Sequence, residues 1–365
     1  MRESPFESIL VAGILSPSIH PGAHAALTRL ASGFAESEAR SVELKIIEEE
    51  SLRGLIRLSI VAAFAPQDVV VLRHVGVAAP FVCLVGTLLR IRGRLLILQV
   101  PTPMSSARLD TNIRRSRAFR RLSQLVVAAM HPLVFIVPHL IVQYAPERGR
   151  MARLGRRKSV IISHPVDLPV ASPGRRANER GVVRAVGVAG SARSPGFDRF
   201  LHGLALLRTS EAPPKLEVVL VGHDEVFVTE IKLVEELNLQ DTVTFTGPLF
   251  GAELEAVLSS ATFGLGTLAG HRVGLSVASP LKHRTYLGRG IPFVTAITDP
   301  SLTSDAPWIH QVAADDSAIG VAAVLDWLVS VVNDDVRREM QTWARENLSA
   351  EAIALHVLNE LSERV

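Results

Sequence analysis

Ser279, Pro280 and Gly290 are spaced as the start and stop of a short helix, and that helix would be placed to hold an anion. An apolar run at 263–269 predicts a strand that gives way to a loop of small residues. Ser279 then reads as a cap and Pro280 as the first turn, and Gly290 closes the helix before a second apolar strand at 291–297. A helix entered from the carboxyl end of a parallel strand turns its unpaired N–H groups and positive dipole end toward the crevice where open α/β sheets bind ligands. The chemistry this suits is nucleotide-phosphate binding.

Other combinations carry less. His20 and His24 are four apart, but they fall in a segment read as a glycine-containing loop, and no third ligand accompanies them. There is no Asp-x-Asp pair to hold a divalent ion on a diphosphate, no Gly-x-Ser-x-Gly elbow and no Walker loop. No metal site is expected. The acidic pairs Asp315-Asp316 and Asp334-Asp335 read as helix starts, where carboxylates favour the dipole. Arg114, Arg117, Arg120 and Arg121 lie at helical spacing beside Ile113, Phe119, Leu122 and Leu125. That basic amphipathic helix is either a solvated face on a core-packed helix or a contact for anionic lipid headgroups or a charged acceptor.

The elements that would position these residues form two series. Extended runs at 9–15, 42–48, 69–73, 95–100 and 134–142 are separated by helical segments, the first of them from about residue 25. A polar stretch at 171–181, rich in proline, glycine and charge, reads as a linker. After it a regular βα rhythm runs through 182–312, followed by helices near 317–332, 334–347 and 350–361. Strands alternating with helices imply parallel sheets covered on both faces. The 365 residues suit two domains, at 1–168 and 169–349.

Composition narrows the class. Net charge is +3, but about 15 basic residues face only Asp110 and Glu147 between positions 90 and 158, which points to an anionic surface or substrate on that half. No binding motif or aromatic stacking platform accompanies the charge, so nucleic acid is not expected as a partner. The single cysteine, Cys83, rules out an internal disulfide and suits a reducing cytoplasm. No signal peptide is read at the amino terminus, and His131, Pro132, Pro138 and His139 interrupt the apolar stretch 125–142 as a membrane span. The expected location is the cytoplasm, either free or peripheral at the inner face of the membrane.

Four pieces of the second half, SPGFDRFLHGL, VVLVGHDE, VTFTGPLFGAELEAVLSSATFGLGTLAGHR and ASPLKHRTYLGRGIPFV, occur in the order and spacing of one family. Through them the chain resembles the GT-B-fold glycosyltransferases, specifically the large family 4 group. The first half matches more loosely, through LRHVGVAAP, LLILQVPTPM and VIISHPVD. The resemblance implies an α/β fold of two Rossmann-like domains facing across a cleft, with the final helix, 350–365, returning to the first. It also implies transfer of a hexose, with retention of configuration, from a nucleotide diphosphate sugar to a glycan or lipid-linked glycan. Neither a cofactor nor a metal would be needed, because basic side chains and a helix amino terminus would stabilise the leaving diphosphate.

Carried over residue by residue, the resemblance assigns Gly190, Arg193 and Gly196 to the loop that meets the pyrophosphate, with Gly222, Thr246 and Gly247 beside it. Ala278, Ser279 and Leu281 would offer amides to the phosphates, and Lys282 would clamp them as a point charge. His271 and Arg272 match a pair near the sugar; His271 also reads as an ordinary loop hydrogen-bonder. On the acceptor side the matching positions are His20, Gly22, His24, Arg73 and Pro101. Family 4 members usually carry two glutamates eight positions apart, for the donor sugar and the ribose, where this chain has Val277 and Thr285. That departure leaves a second reading open: a degenerate transferase fold that binds glycan or a partner enzyme.

Overall fold

The computed structural model describes residues 6–17, 20–37, 41–73, 79–101, 132–147, 153–166, 168, 182–190, 194–211, 213–303 and 305–365. The basic segment 113–125, the linker 171–181 and Arg193 lie outside the described residues. The chain divides into two compact units, one of Met1–Pro165 with Asn347–Val365 and one of Val166–Glu346. The boundaries read from the sequence fall at 168/169 and 349/350.

The first unit contains β1 (Ser8–Ile14), α1 (Pro21–Glu36), β2 (Ser41–Ile47), α2 (Leu52–Ala63), β3 (Val69–Arg73), α3 (Ala79–Ile91), β4 (Leu95–Val100), β5 (Leu140–Gln143) and β6 (Ser159–Ile161). They make a parallel sheet of order β2-β1-β3-β4-β5-β6. β3 is buried along its whole length, and β1 and β4 nearly so, because helices cover both faces of a parallel sheet. At the edge, β2 leaves Glu43 and Lys45 exposed. Two expectations change here. The strand read at 134–142 is only Leu140–Gln143, since 132–134 form a helical turn and Pro138 lacks the N–H a ladder needs. The loop read around His24 is already helix, with Pro21 at its first turn and His20 at the cap position.

In the second unit follow β7 (Val183–Val188), α4 (Phe197–Arg208), β8 (Leu216–Val221), α5 (Val228–Glu236), β9 (Val243–Phe245), α6 (Gly251–Ser260), β10 (Phe263–Leu265), α7 (Leu281–Arg289), β11 (Phe293–Thr295), β12 (Ile309–Gln311), α8 (Val321–Val331) and α9 (Asp334–Leu348). The chain ends in α10 (Ala350–Ser362), capped by the Ser349 hydroxyl accepting from the Ala352 amide at 3.2 Å. Helix α10 belongs to the first unit and packs on α1, where a side chain in place of Gly33 would collide with the Ala350 carbonyl.

The second sheet is parallel, with order β12-β11-β10-β7-β8-β9. Counted within the unit this is the doubly wound order 3-2-1-4-5-6, which reverses between β7 and β10. Side chains there are locked by burial: Phe197 and Phe200 of α4, Phe263 of β10 and Leu220 of β8 share one core. Tyr286 of α7 lies flat on Gly264, where any Cβ would come within 2.6 Å of its ring, and donates its hydroxyl to the Val186 or Leu265 carbonyl. Among the described residues no helix is long and apolar enough to cross a membrane.

Candidate functional site

The strand order puts the loops after β7 and β10 side by side at the carboxyl edge of the second sheet. The two loops are joined by the Leu268 amide donating to Pro195 O at 2.9 Å and the Ala269 amide to Ser194 O at 3.2 Å. Gly196, in the left-handed region at φ 65°, makes this approach possible, because a Cβ there would lie 2.4 Å from that of Ala269. The β10 loop is also tied to β11: Thr267 O receives the Ala296 amide at 2.9 Å, and the Val277 segment bridges Thr298 in parallel.

Two helices begin at this reversal point, α4 at Phe197 and α7 at Leu281. Neither has a side-chain cap. Lys282, in the first turn of α7, extends over the Phe197 ring at 5.1 Å and reaches Gly266 O at 3.3 Å. No carboxylate pairs with it among the described residues. Part of the side chain remains open to solvent, yet the ammonium is so densely enclosed that desolvation pushes its pKa down to about 7. A cation at a helix amino terminus opposes the dipole. Enclosure without a counterion raises that cost further, and a bound anion would relieve both.

The helix start differs from the sequence expectation. Pro280 occupies the cap position with φ −72° and ψ 141°, and α7 begins one residue later than read. Ser279 does not cap it; its hydroxyl accepts from Arg284 at 2.6 Å. Nor is the Ala278 amide free for a phosphate, since it donates to Thr298 O at 3.0 Å. The amides that remain are those of Leu281 and Lys282, in the first turn where no intrahelical acceptor exists.

Behind this turn lies a buried charge cluster that the sequence reading missed. Asp299, with 6% of its surface exposed, accepts from Arg284 at 2.7 and 2.8 Å and pairs with His283 Nδ1 at 3.2 Å. Burial raises the Asp299 pKa, but Arg284 and His283 overcome it and hold the carboxyl at about 2. Desolvation pushes His283 down despite Asp299. His283 Nε2 and Arg284 Nε and Nη1 are buried with no hydrogen-bond partner among the described residues. The cluster fixes the 276–281 segment against β11, and so fixes where Lys282 points. The buried face of α7 is His283, Arg284, Tyr286, Leu287 and Gly288. Such a face shows no apolar stripe by which a sequence could reveal which charges go inside.

His271 and Arg272 lie in a single turn of 3-10 helix, Gly270–Val273, tied to other elements. Arg272 makes a two-pronged pair with Asp198 of α4 at 2.8 Å for each bond, and a third bond to Asp316 at 2.7 Å. His271 Nε2 lies 3.1 Å from the same Asp316 oxygen. These carboxylates account for the guanidinium's bonds, so the geometry makes Arg272 a tie between α4 and the 315–316 bend. That bend is not a helix start, contrary to expectation: Asp315 pairs with the buried Arg199 at 3.3 Å, whereas Asp334 and Asp335 do open α9. Beside this tie is a second missed group, Glu230 in the first turn of α5. Its carboxyl is pushed up to about 7, by burial first and by the Asp198 charge, against its own backbone bond and Arg272.

Gly222 and Gly247 follow β8 and β9 and are joined by the Gly222 amide donating to Gly247 O at 3.1 Å, with Thr246 Oγ1 on the same carbonyl at 2.9 Å. Gly190 is exposed beyond β7, and a Cβ there would meet nothing. Thr285 donates to Leu281 O at 3.3 Å within α7. In the first unit, His20, Gly22 and His24 stand at the start of α1, Arg73 ends β3 and Pro101 follows β4. Among the described residues no group of three His, Cys, Asp or Glu side chains is placed to share a metal.

Two parallel six-stranded sheets of these orders, one per unit, define the GT-B glycosyltransferase fold. The chain is similar to the solved structure of HepE from Anabaena in complex with UDP, at 14% identity and TM-score 0.64 over 98% of this chain and 100% of that one. It is similar to the catalytic domain of starch synthase IV from Arabidopsis thaliana bound to ADP and acarbose, at 10% identity and TM-score 0.66 over 98% and 99%. The lipopolysaccharide outer core galactosyltransferase WaaB matches at 11% identity and TM-score 0.60 over 98% and 100%. No family model matches the sequence, and no curated protein matches it.

Proposed function

We infer that this chain transfers a sugar from a nucleotide diphosphate sugar, holding the diphosphate at the reversal point of its second sheet. The observation that carries this reading is Lys282: an enclosed ammonium with no carboxylate partner among the described residues, at the start of one helix and over the first residue of another. As the sugar leaves, negative charge grows on the diphosphate. Lys282 and the Leu281 and Lys282 amides would stabilise that charge without moving, which is the source of most electrostatic catalysis. HepE in complex with UDP and starch synthase IV bound to ADP support the ligand class.

The finer reading is a family 4 type hexosyltransferase that retains configuration and acts on a glycan or lipid-linked glycan held by the first unit. Its basic segment near 114–121 would attach it to anionic membranes. The chemistry needs no divalent ion, so transfer is expected to persist in excess EDTA; a strict need for manganese or magnesium overturns that part. Mass-spectrometric screening of the purified protein against a panel of nucleotide sugars tests the reading as a whole. Donor hydrolysis or transfer supports it, and nucleotide binding without turnover of any donor favours the degenerate alternative.

Val277 and Thr285 motivate that alternative. Val277 cannot accept a hydrogen bond through its side chain, and Thr285 offers only a neutral hydroxyl already bonded to Leu281 O. A bond to a charged group contributes about 1.5–3 kcal/mol. Val277→Glu is therefore expected to raise donor turnover at least tenfold while changing nucleoside diphosphate affinity less, and Thr285→Glu to raise that affinity as well. Loss of a robust native activity on restoration would show that this site holds its donor in another way.

A further inference from the structure

Arg73, the last residue of β3, has 9% of its surface exposed, and no carboxylate pairs with it among the described residues. Its Nη1 donates to Gln99 Oε1 at 3.2 Å, and Gln99 Nε2 in turn donates to the Tyr144 hydroxyl at 2.6 Å. Register explains the grouping: Arg73 pairs Gln99 across β3 and β4, Gln99 pairs Val142 across β4 and β5, and Tyr144 two residues on returns to the same face. That face is the one covered by α1, since Leu27 of α1 and Arg73 both crowd the bare Cα of Gly13, at 3.0 and 3.2 Å from where its Cβ would be. Tyr144 is held by its ring, stacked on His164 at 3.7 Å between centroids.

This polar row has the wrong balance for a purely structural network. A guanidinium stays protonated in any protein setting, and taking it out of water is costly unless an anion repays the desolvation. Burial depresses the Arg73 pKa, and Tyr144 opposes it. Gln99 spends its carbonyl oxygen on Arg73 and its amide on Tyr144, which leaves the tyrosine hydroxyl hydrogen to be given elsewhere. Among the described residues the unused valences are thus a cation and a hydroxyl donor. They face the carboxyl edge of a parallel sheet, where such folds take ligands. α1 starts near that edge with no acidic residue in its first turn and no side-chain cap.

We propose that Arg73, with Tyr144, is a binding site for an anionic group, carboxylate or phosphate, carried by the acceptor. The site itself is independent of the transferase reading; that its anion belongs to the acceptor rests on that reading. Calorimetry on the full chain saturated with UDP, using glucose 6-phosphate, glucuronate and glucose as probes, tests it. The two anionic sugars are expected to bind at least tenfold more tightly than glucose. Arg73→Gln should abolish that preference while leaving UDP affinity within twofold, and Lys282→Gln should do the reverse. Tyr144→Phe, which keeps the stacked ring, should weaken the anionic probes several-fold and serves if Arg73→Gln misfolds. Equal binding of all three sugars to the native chain, or a preference that survives Arg73→Gln, overturns the proposal. Loss of UDP affinity in Arg73→Gln overturns the acceptor assignment by making the anion the donor's. Failure of the native chain to bind UDP would count against the transferase reading alone, and the sugar titrations are read the same way without nucleotide.

Discussion

Lys282→Ala is expected to weaken binding of UDP, GDP or ADP by about 10–150-fold, the equivalent of the roughly 1.5–3 kcal/mol carried by a charge-assisted hydrogen bond. The same residue gives the affinity a pH dependence of definite sign. In the free protein desolvation holds Lys282 at about 7, so above neutral pH the side chain is mostly uncharged. A diphosphate beside it favours the ammonium and raises the pKa again, so binding must take up a proton. Affinity should therefore fall as pH rises from 7 to 9, by up to about tenfold per unit. Calorimetry in buffers of different ionisation enthalpy would show the uptake directly. Lys282→Arg, which stays charged, should flatten the profile, and Lys282→Ala should remove it. An unchanged Kd in Lys282→Ala together with a flat native profile would remove Lys282 from the phosphate site, and with it the observation on which the functional reading stands.

Asp299→Asn is the substitution with the largest expected effect on stability. Arg284 has 1% of its surface exposed, and Asp299 is its only carboxylate partner among the described residues. Removing one charge from a buried pair leaves the other unpaired and typically costs about 3–5 kcal/mol. For a unit of this size each kcal/mol lowers Tm by about 2–4 °C, so a fall of about 6–20 °C is expected in thermal unfolding. Arg284→Met combined with Asp299→Leu should be less destabilising than Asp299→Asn alone, because it removes both charges. The pH sign follows from a folded pKa of about 2 against an ordinary 3.8: the stabilisation is fully present above 3.8 and is lost as pH falls from there toward 2. Because this cluster braces the turn that carries Lys282, Asp299→Asn should also weaken nucleotide binding below its melting range. A stability unchanged by Asp299→Asn would mean that Arg284 finds its counter-charge elsewhere.

Residues whose role depends on local periodicity were legible in the sequence. The runs at 69–73, 95–100 and 216–221 are strands because a strand covered on both faces is apolar at most of its positions, with Arg73, Gln99 and Glu217 as the exceptions. Gly290 ends α7 at φ 63°, where glycine carries no Cβ penalty, and Asp334-Asp335 open α9. The alternation of strands and helices determined two parallel sheets.

The tertiary structure decided the partners. Nothing in the spacing of Ser279, Arg284 and Asp299 says that they share one buried cluster, because Asp299 arrives at the end of a separate strand and side-chain charge has no sequence period. Ser279 looked like a cap and instead takes a bond from Arg284; Asp316 looked like a helix start and instead binds His271 and Arg272. Arg73, Gln99 and Tyr144 stand at the ends of three strands far apart in the chain, and only sheet register brings them to one face. Lys282 could be read as a cation at a helix start. Its enclosure over Phe197, which displaces its pKa, required the loops after β7 and β10 to meet, and that depends on a glycine at 196 having no side chain to hold them apart.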